Sequence, residues 1–307
     1  MEQINLRDYA RLFSLGNTVT ALGFFDGVHL GHQALIDYTV SRARELGCAS
    51  AVLTFVDDAN GIKPSTPRIT DQATRLSLLA ERGVDYIILA PFGDVKHMTP
   101  MTFVKNVLIG LCHTKEAVCG FNFRFGQNRA GDANTLTQYL QMLGATTHIV
   151  PPTKANDGQV ISSTAIREAL AFGDVERAHS YMGRPYTLTA PVLHGQALGR
   201  TIGAPTMNQA FPPNIIVPKH GVYATKCTLD GVSYVAVTNV GNRPTVGGAS
   251  VNCESHVLGF GGSLYGKTIS LSFLSYIREE QHFQSVEALQ AQIQKDIGKV
   301  ETLYGIH

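Results

Sequence analysis

The sequence predicts an α/β domain with a parallel sheet, followed by a small antiparallel β-barrel domain that ends in one helix. In the first half, short apolar runs alternate with amphipathic segments of helical periodicity, which is typical of βαβ units. From about residue 183, alternating strand patterns follow one another, separated by Gly, Pro, Asn and Asp, which is typical of an antiparallel sheet or barrel. We therefore predict two domains, residues 1–182 and 183–307, with the boundary at Tyr181–Pro185.

Local signals predict the elements of the first half. The apolar run Thr18–Phe25 predicts a strand, and apolar residues at helical spacing predict a helix over His32–Gly47. Gly47 suits the end of that helix, because glycine readily adopts the left-handed conformation of a C-cap. Further strands are predicted at 48–56, 85–92, 116–123 and 146–152, and further helices at 69–83 (capped by Thr70 or Asp71), 99–112 and 132–144.

The second half predicts short strands and a final helix. The strand patterns lie at 186–195, 221–229, 232–240, 252–260 and 268–277, and an amphipathic helix follows at 285–304. The tripeptide LDG, Leu229–Gly231, separates two of these strands and predicts a hairpin.

Composition excludes several classes of function. The chain has 307 residues, of which 25 are basic and 24 acidic, so no broad basic surface for nucleic acid or anionic membrane is expected. Five cysteines without a C-x-x-C pair argue against a disulfide framework or a zinc ribbon. The N-terminus lacks a signal-peptide pattern, and no apolar run approaches the roughly 18 residues of a membrane helix. We expect a cytoplasmic protein with neither nucleic acid nor membrane as a partner.

The turn between the first predicted strand and helix is the strongest candidate site. Its sequence, GFFDGVHLGH at Gly23–His32, puts Asp26, His29 and His32 where a strand's carboxyl end meets the free N–H groups of a helix. Gly31 lets the backbone approach a ligand, while two imidazoles can donate to phosphate oxygens and stabilise charge during attack on phosphorus. The alternative, two surface histidines on an ordinary helix, is disfavoured by the preceding F-D-G-V.

A second candidate is ISSTAIREAL, at Ile161–Leu170. Ser163 and Thr164 lie where a helix begins and Arg167 follows one turn later, so hydroxyls, N–H groups and a guanidinium can converge on phosphates. An ordinary serine N-cap beside a solvated arginine is the alternative. The presence of the first candidate favours the phosphate interpretation.

Together with GFNFRFG at Gly120–Gly126, these two segments resemble the bacterial bifunctional riboflavin kinase/FAD synthetase family. The resemblance implies a Rossmann-like nucleotidyltransferase domain that converts FMN and ATP to FAD and pyrophosphate with Mg²⁺. It implies catalysis by His29 and His32. The ATP- and phosphate-binding residues that it implies are Gly23, Phe25, Asp26, His29, His32, Ser163, Thr164 and Arg167, and the flavin-binding residues are Asn122, Phe123, Arg124 and Phe125.

The second half resembles the family's riboflavin kinase domain. GRTIGAPTMN, at 199–208, is similar to the family's G-R-x-L-G-x-P-T-x-N, which implies nucleotide and Mg²⁺ binding. The residues concerned are Gly199, Gly203, Thr206 and Asn208, with Thr206 on the Mg²⁺. Glu254 matches the catalytic base for the 5′-hydroxyl of riboflavin, for which the alternative is an edge-strand glutamate facing water. Glu254 and Arg278 are also implied to bind the flavin.

Three departures from the family pattern stand out. Asn122 replaces the usual Asp of D-F-R-F-G, Asp57–Asn60 replaces the usual P-H-P loop, and Gly259 stands where Asp is common. A further pattern is deceptive: Gly261–Thr268 fits the P-loop signature, but the segment that follows it predicts a strand, whereas a P-loop must open a helix.

The resemblance covers 18–295 and implies riboflavin, FMN and ATP as small-molecule partners. One rival is another H-x-G-H nucleotidyltransferase with an unrelated β domain, which Thr206, Asn208 and Glu254 argue against. A flavin-binding regulator without activity is a second rival, left open by Asn122 and the loop at 57–60. A class I aminoacyl-tRNA synthetase is disfavoured by the near-zero net charge.

Overall fold

A computed structural model describes residues 1–56, 66–193, 206–245 and 248–305. Its chain divides into two compact units, one formed by Met1–Ser65 and Thr70–Ser163 and the other by Thr66–Ile69 and Thr164–His307. No helix in these four ranges is long and apolar enough to cross a membrane.

The strands of the N-terminal unit form a parallel sheet. In chain order they are β1 (Glu2–Asn5), β2 (Thr18–Leu22), β3 (Ala49–Val56), β4 (Tyr86–Pro91), β5 (Thr114–Gly120), the short pair β6 (Arg124–Phe125) and β7 (Gly131–Asp132), and β8 (Thr146–Val150). The sheet order is β1-β4-β3-β2-β5-β8, with every pairing parallel, as the alternating pattern predicts.

Helices cover both faces of this sheet. They are α1 (Tyr9–Phe13), α2 (Leu30–Leu46), α3 (Gln72–Ala80), α4 (Phe92–Val95), α5 (Pro100–Thr102) with a π-helical continuation over Phe103–Leu111, and α6 (Ala133–Met142). Residues such as Ile36 of α2 and Leu79 of α3 pack in one core cluster, while Val104 and Leu136 pack in another. Burial on both faces explains why the central strands are almost continuously apolar.

The C-terminal unit is a nearly closed antiparallel barrel. After α7 (Ser163–Phe172) and α8 (Val175–Met182) come β9 (Tyr186–Pro191), β10 (Met207–Ala210), β11 (Gly221–Leu229), β12 (Val232–Thr245), β13 (Gly248–Val257), β14 (Thr268–Arg278) and α9 (Val286–Tyr304). The sheet order is β10-β13-β12-β11-β14-β9. The Gln209 amide donates to the Ala190 and Ile269 carbonyls at 2.7 and 2.8 Å, which joins β10 to the opposite edge.

The predicted fold class is confirmed in both units, and the differences are local. The strand predicted over 18–25 ends at Leu22, because the chain turns at Phe25, whose φ is 59°. The strand predicted at 252–260 is β13, which begins at Gly248. Strand β10 was not predicted, and it begins in the last two residues of the glycine-rich segment 199–208.

The C-terminal helix α9 is fixed to the barrel by packing and by one ion pair. Val300 packs against Val222 and Ile277 on the outer face of the barrel. Arg278, at the end of β14, donates from Nε and Nη2 to the Asp296 carboxylate at 3.0 and 2.7 Å. Asp296 is 4% exposed, so its charge is compensated inside the protein.

We predict that Asp296→Ala lowers the free energy of unfolding by about 1–3 kcal/mol, because it leaves the partly buried Arg278 guanidinium without its carboxylate partner. Urea denaturation followed by circular dichroism measures this loss. The matched control is Glu279→Ala, which removes an exposed carboxylate that accepts from Lys219. Equal unfolding midpoints for the two variants would contradict the prediction.

Candidate active sites

The first candidate site is built on the turn from β2 to α2. Phe25, Gly27 and Val28 have φ values of 59°, 77° and 37°. A positive φ is unusual for a bulky residue and more so for the β-branched Val28, and such strain costs about 1–3 kcal/mol at each position. The turn ends at His29, the N-cap of α2, whose Nδ1 accepts from the His32 N–H at 3.2 Å.

The two histidines form a stacked pair at the start of α2. Their ring centroids are 3.6 Å apart, with 19° between the planes, and the Phe25 ring meets His32 edge-on. Because Nδ1 of His29 accepts a hydrogen bond, we assign the proton of the neutral ring to Nε2. Burial of the His32 ring, with a smaller contribution from the charge of His29, holds the pKa of His32 well below its usual value.

Two glycines shape this site. A Cβ added to Gly31 would lie 3.2 Å from Cε1 of His29, so glycine leaves room for the imidazole. A Cβ added to Gly23 would lie 3.0 Å from Cζ of Phe25, whose ring packs over the backbone there. Both positions therefore allow a ring to lie against the main chain.

Asp26 lies in the turn and bonds to Thr70. The Thr70 N–H donates to Asp26 Oδ1, and the Gly27 N–H donates to the Thr70 hydroxyl, both at 3.3 Å. The Ser163 hydroxyl donates to the Asp26 carbonyl at 2.9 Å. Asp26 is 4% exposed, so its carboxylate helps to hold the turn in shape.

The segment ISSTAIR begins α7, as its sequence predicts. Ser163 is the first residue of the helix, and Thr164 is exposed beside it. Arg167 lies one turn later and donates from Nε to the Pro67 carbonyl at 2.7 Å.

An aromatic cavity of about 460 Å³ lies in the N-terminal unit. Its lining combines phenylalanine rings with basic side chains: Phe55, Phe92, Phe103 and Phe125, and Lys96, His97, Arg124 and Arg129. Such a lining suits a flat aromatic ligand that carries negative charge.

The GFNFRFG signature borders this cavity. Arg124 and Phe125 line it, whereas Phe123 packs behind, stacked on Phe125 with centroids 5.6 Å apart. Asn122 is exposed on the preceding turn and is not among the lining residues. At Gly126 φ is 73°, and an added Cβ would lie 2.8 Å from Pro100, so both conformation and space require glycine.

In the barrel, three polar residues form a row across neighbouring strands. Glu254 of β13 is paired in register with Asn208 of β10 on one side and Asn239 of β12 on the other. Paired residues share a face of the sheet, so the three side chains project from the same outer face. Since β13 lies between β10 and β12, the alternative of an edge-strand glutamate is wrong, although the side chain is exposed.

Glu254 opens into a cavity of about 250 Å³ between the barrel and α9. Thr206, Asn239, Arg278 and Glu280 also line it, with Leu289 and Ile293 of α9 on the apolar side. The Arg278 guanidinium is held by Asp296, and Asn239 donates to Glu280 Oε1 at 3.2 Å.

A second cavity of the barrel, of about 340 Å³, shares Thr206 with the first. Met207 and Ser255 line it from the strands, and the loop Phe260–Tyr265 covers it. This loop overlaps the deceptive P-loop pattern, and β14 follows it, so the required helix is replaced by a strand, as predicted. Gly259, with φ 71°, occupies a left-handed position that glycine accepts readily.

Several predicted positions lie outside the described residues, namely Gly199, Gly203 and the loop Asp57–Asn60. Among the described ones, sequence reasoning missed Arg75, the basic and aromatic residues Phe92, Lys96 and His97, and Glu280. The consecutive left-handed residues Asn128 and Arg129, with φ 54° and 58°, are also unexpected. Glu280 lies two residues after Arg278, the nearest residue that the sequence analysis singled out.

Known proteins resemble the chain over nearly its full length. The FAD synthetase family model matches residues 14–165, and the riboflavin kinase family model matches residues 182–304. The bifunctional riboflavin kinase/FMN adenylyltransferase of Listeria monocytogenes is 35% identical over 286 residues, covering 91% of this chain and 90% of the relative. That of Escherichia coli K12 is 34% identical over 293 residues, covering 94% and 93%.

A solved structure is similar over the whole length. It is described as a macrolide-efflux protein from Streptococcus pneumoniae, is 30% identical, and superposes with a TM-score of 0.85 over 98% of this chain and 99% of that one. The order of the two family matches, FAD synthetase first and riboflavin kinase second, agrees with the order of the two candidate sites. The chain belongs to the bifunctional riboflavin kinase/FMN adenylyltransferase family.

Proposed function

We propose that this chain makes FAD in two ATP-dependent steps. The C-terminal domain, residues 183–307, phosphorylates riboflavin to FMN, and the N-terminal domain, residues 1–182, transfers the adenylyl group of ATP to FMN and releases pyrophosphate. The observation that carries the proposal is that each unit has its own cavity for an organic ligand as well as its own set of phosphate- or hydroxyl-directed side chains. We assign the two activities to residues 1–182 and 183–307.

In the adenylyl transfer, a phosphate oxygen of FMN attacks the α-phosphorus of ATP, and the bond from that phosphorus to pyrophosphate breaks. Negative charge increases on the oxygens of the α-phosphate during this step. His29 Nε2–H, His32 and the free N–H groups of α2 are the donors that we assign to these oxygens, which is catalysis by positioning and electrostatics. The resemblance supports Ser163, Thr164 and Arg167 as ligands of the leaving pyrophosphate.

The aromatic cavity is our candidate for the FMN site. Four phenylalanine rings line it and offer stacking and edge contacts to an isoalloxazine. Arg124, Arg129 and Lys96 supply positive charge for the FMN phosphate. Family resemblance adds Asn122 and Phe123 to this assignment.

In the kinase step, the riboflavin 5′-hydroxyl attacks the γ-phosphorus of ATP while Glu254 accepts the hydroxyl proton, and the bond from that phosphorus to the bridging oxygen breaks to release ADP. Because Thr206 lines both barrel cavities, we assign riboflavin to the cavity beneath α9 and ATP to the other, with the transferred phosphoryl group near Thr206. Arg278 lines the riboflavin cavity, and Gly199 and Gly203 are assigned to the nucleotide by resemblance.

The chemistry of the nearby side chains fits Mg²⁺, which prefers oxygen ligands. Thr206 supplies a hydroxyl, and Asn208 Oδ1 is buried and has no hydrogen-bond partner among the described residues. Within the described ranges no group of three or more His, Cys, Asp or Glu residues can hold a metal ion. When bound, the ion neutralises charge on the transferring phosphoryl group.

Riboflavin, FMN and ATP are the partners that we propose, in the cytoplasm and without nucleic acid or membrane. Chromatography of the purified chain with riboflavin, ATP and Mg²⁺ tests the proposal, with FMN and then FAD expected. Absence of both products, with flavin still binding, would favour the rival flavin-binding regulator.

We predict that the two activities separate by substitution. Glu254→Gln lowers FMN formation by about 100-fold or more, because the amide cannot accept the hydroxyl proton. His29→Asn lowers FAD formation from FMN by about 100-fold or more, because it removes the Nε2–H donor. Asparagine can still cap α2, so the helix start is preserved.

Each variant is its own folding control, since the untouched unit is assayed in the same preparation. Both products are quantified by chromatography under initial-rate conditions. A variant that loses both activities while keeping its thermal unfolding transition would contradict the division of labour.

We also predict a pH dependence of stability from His32. Its folded pKa is below the unfolded value of about 6.5, so the unfolded chain binds more protons between the two values. The contribution of His32 to the free energy of unfolding is therefore complete above about pH 6.5. It is lost as the pH falls, by at most about 1.4 kcal/mol per pH unit.

The matched variant is His32→Gln, which does not titrate. Urea midpoints measured at pH 7.5 and at pH 5.5 give the loss for each protein, and the wild-type chain is expected to lose more. Equal losses would show that His32 titrates alike in the folded and unfolded chains.

A further inference from the structure

Arg75 of α3 lies buried beneath the β2–α2 turn and is 1% exposed. Its Nη1 donates to the Phe24 carbonyl at 2.5 Å and to the Thr54 hydroxyl at 3.2 Å, and its Nη2 donates to the Phe55 carbonyl at 2.8 Å. The Phe24 ring covers the guanidinium, with Cζ 4.2 Å from the ring centroid. Arg75 thus joins the end of β3 to the first residues of the turn.

The turn needs such support, because its own backbone does not favour its shape. Phe25, Gly27 and Val28 all have positive φ, and the strain persists only where surrounding groups fix the conformation. Two residues hold the turn from the side of α3. Thr70, in the segment before the helix, bonds to Asp26 and Gly27, and Arg75 of the helix bonds to Phe24. The Thr54 hydroxyl also donates to the Phe24 carbonyl, at 3.1 Å.

Packing alone does not explain an arginine here. A charged group that leaves water loses solvation, and an apolar residue of similar volume often serves stability as well or better. What the guanidinium adds is geometry, since its planar set of N–H donors can hold two carbonyls and one hydroxyl at fixed angles. The atoms that it holds belong to the segment that leads directly into His29.

We propose that Arg75 is a positioning residue for adenylyl transfer. It fixes the Phe24 carbonyl relative to β3, so that the strained turn delivers His29 and His32 in the orientation that the reacting phosphates require. This inference rests on the proposed FAD synthesis and concerns a residue that touches neither ATP nor FMN. Arg75 acts through His29 and His32.

The test compares Arg75→Met, which keeps volume and removes the donors, with Arg75→Lys, which keeps the charge but not the planar fork. Steady-state kinetics of FAD formation from FMN and ATP are measured beside riboflavin phosphorylation in the same preparations. For Arg75→Met, kcat of FAD formation is expected to fall about 10- to 100-fold, with KM for FMN changed much less, because a misplaced catalytic group affects the transition state most. The kcat of Arg75→Lys should lie between those of Arg75→Met and the wild-type chain.

The matched control is Arg82→Met. Arg82 lies just beyond the end of α3 and forms an ion pair with Asp37. This variant is expected to leave both activities within about twofold of wild type, in the range of neutral surface changes. If Arg75→Met does not fold, the Lys variant carries the comparison. If the Arg75 variants keep as much kcat of FAD formation as Arg82→Met does, the inference is overturned.

A double-mutant cycle distinguishes positioning of His29 from general loosening of the unit. In the His29→Asn background, Arg75→Met or Arg75→Lys should lower kcat by a clearly smaller factor than in the wild-type background, because one of the two groups that Arg75 positions is already absent. Full additivity of the two substitutions would overturn the inference. A wild-type chain that forms no FAD from FMN would instead refute the proposed function, and the inference with it.

Discussion

The geometry of the N-terminal site depends on how the chain leaves the sheet at β2. Between Leu22 and Leu30 the backbone must turn and present free N–H groups at the start of α2, and it does so with three residues at positive φ. Strain of this kind persists only when neighbouring groups determine the conformation. Here Thr70 and Arg75 supply that constraint from outside the turn, and Ser163 adds a third contact at the Asp26 carbonyl.

The barrel positions its polar row in a different way, by strand register. A slip of one residue would move Glu254 from the outer face of the sheet to its interior. On the interior face, Thr225, Thr238 and Ser255 form a buried chain of hydroxyl hydrogen bonds of 2.6 and 2.8 Å across β11, β12 and β13. Thr238 and Ser255 are the chain neighbours of Asn239 and Glu254, so these interior bonds fix the register next to the outer polar row.

The sequence predicted the helices and strands that follow from local periodicity and the site residues that lie in recognisable signatures. The sheet strands Ala49–Val56 and Tyr86–Pro91 and the N-cap Asp71 follow from short-range patterns, and the turn with His29 and His32 was found from its signature. The hydrogen bonds of Arg75 to Phe24 and Phe55 could not be predicted, because they join residues 51 and 20 positions apart through a packing arrangement. The same holds for Phe92 and Lys96, which line the aromatic cavity without any motif of their own. Strand β10 was missed because four residues beside a glycine-rich loop carry too little alternation.

The two sites differ in how they meet the negative charge of ATP. In the N-terminal unit, we assign the stacked imidazoles and the first N–H groups of α2 to the phosphates, and burial, with a smaller contribution from the charge of His29, lowers the pKa of His32. In the barrel, the row contains one carboxylate between two amides, and a carboxylate beside a triphosphate adds repulsion. Under the proposed assignment, that repulsion would make a divalent cation more necessary in the barrel than at the histidines. Under the proposed assignment, a chain with a net charge of +1 would bind the same anionic nucleotide at two sites, because each site would compensate the charge locally.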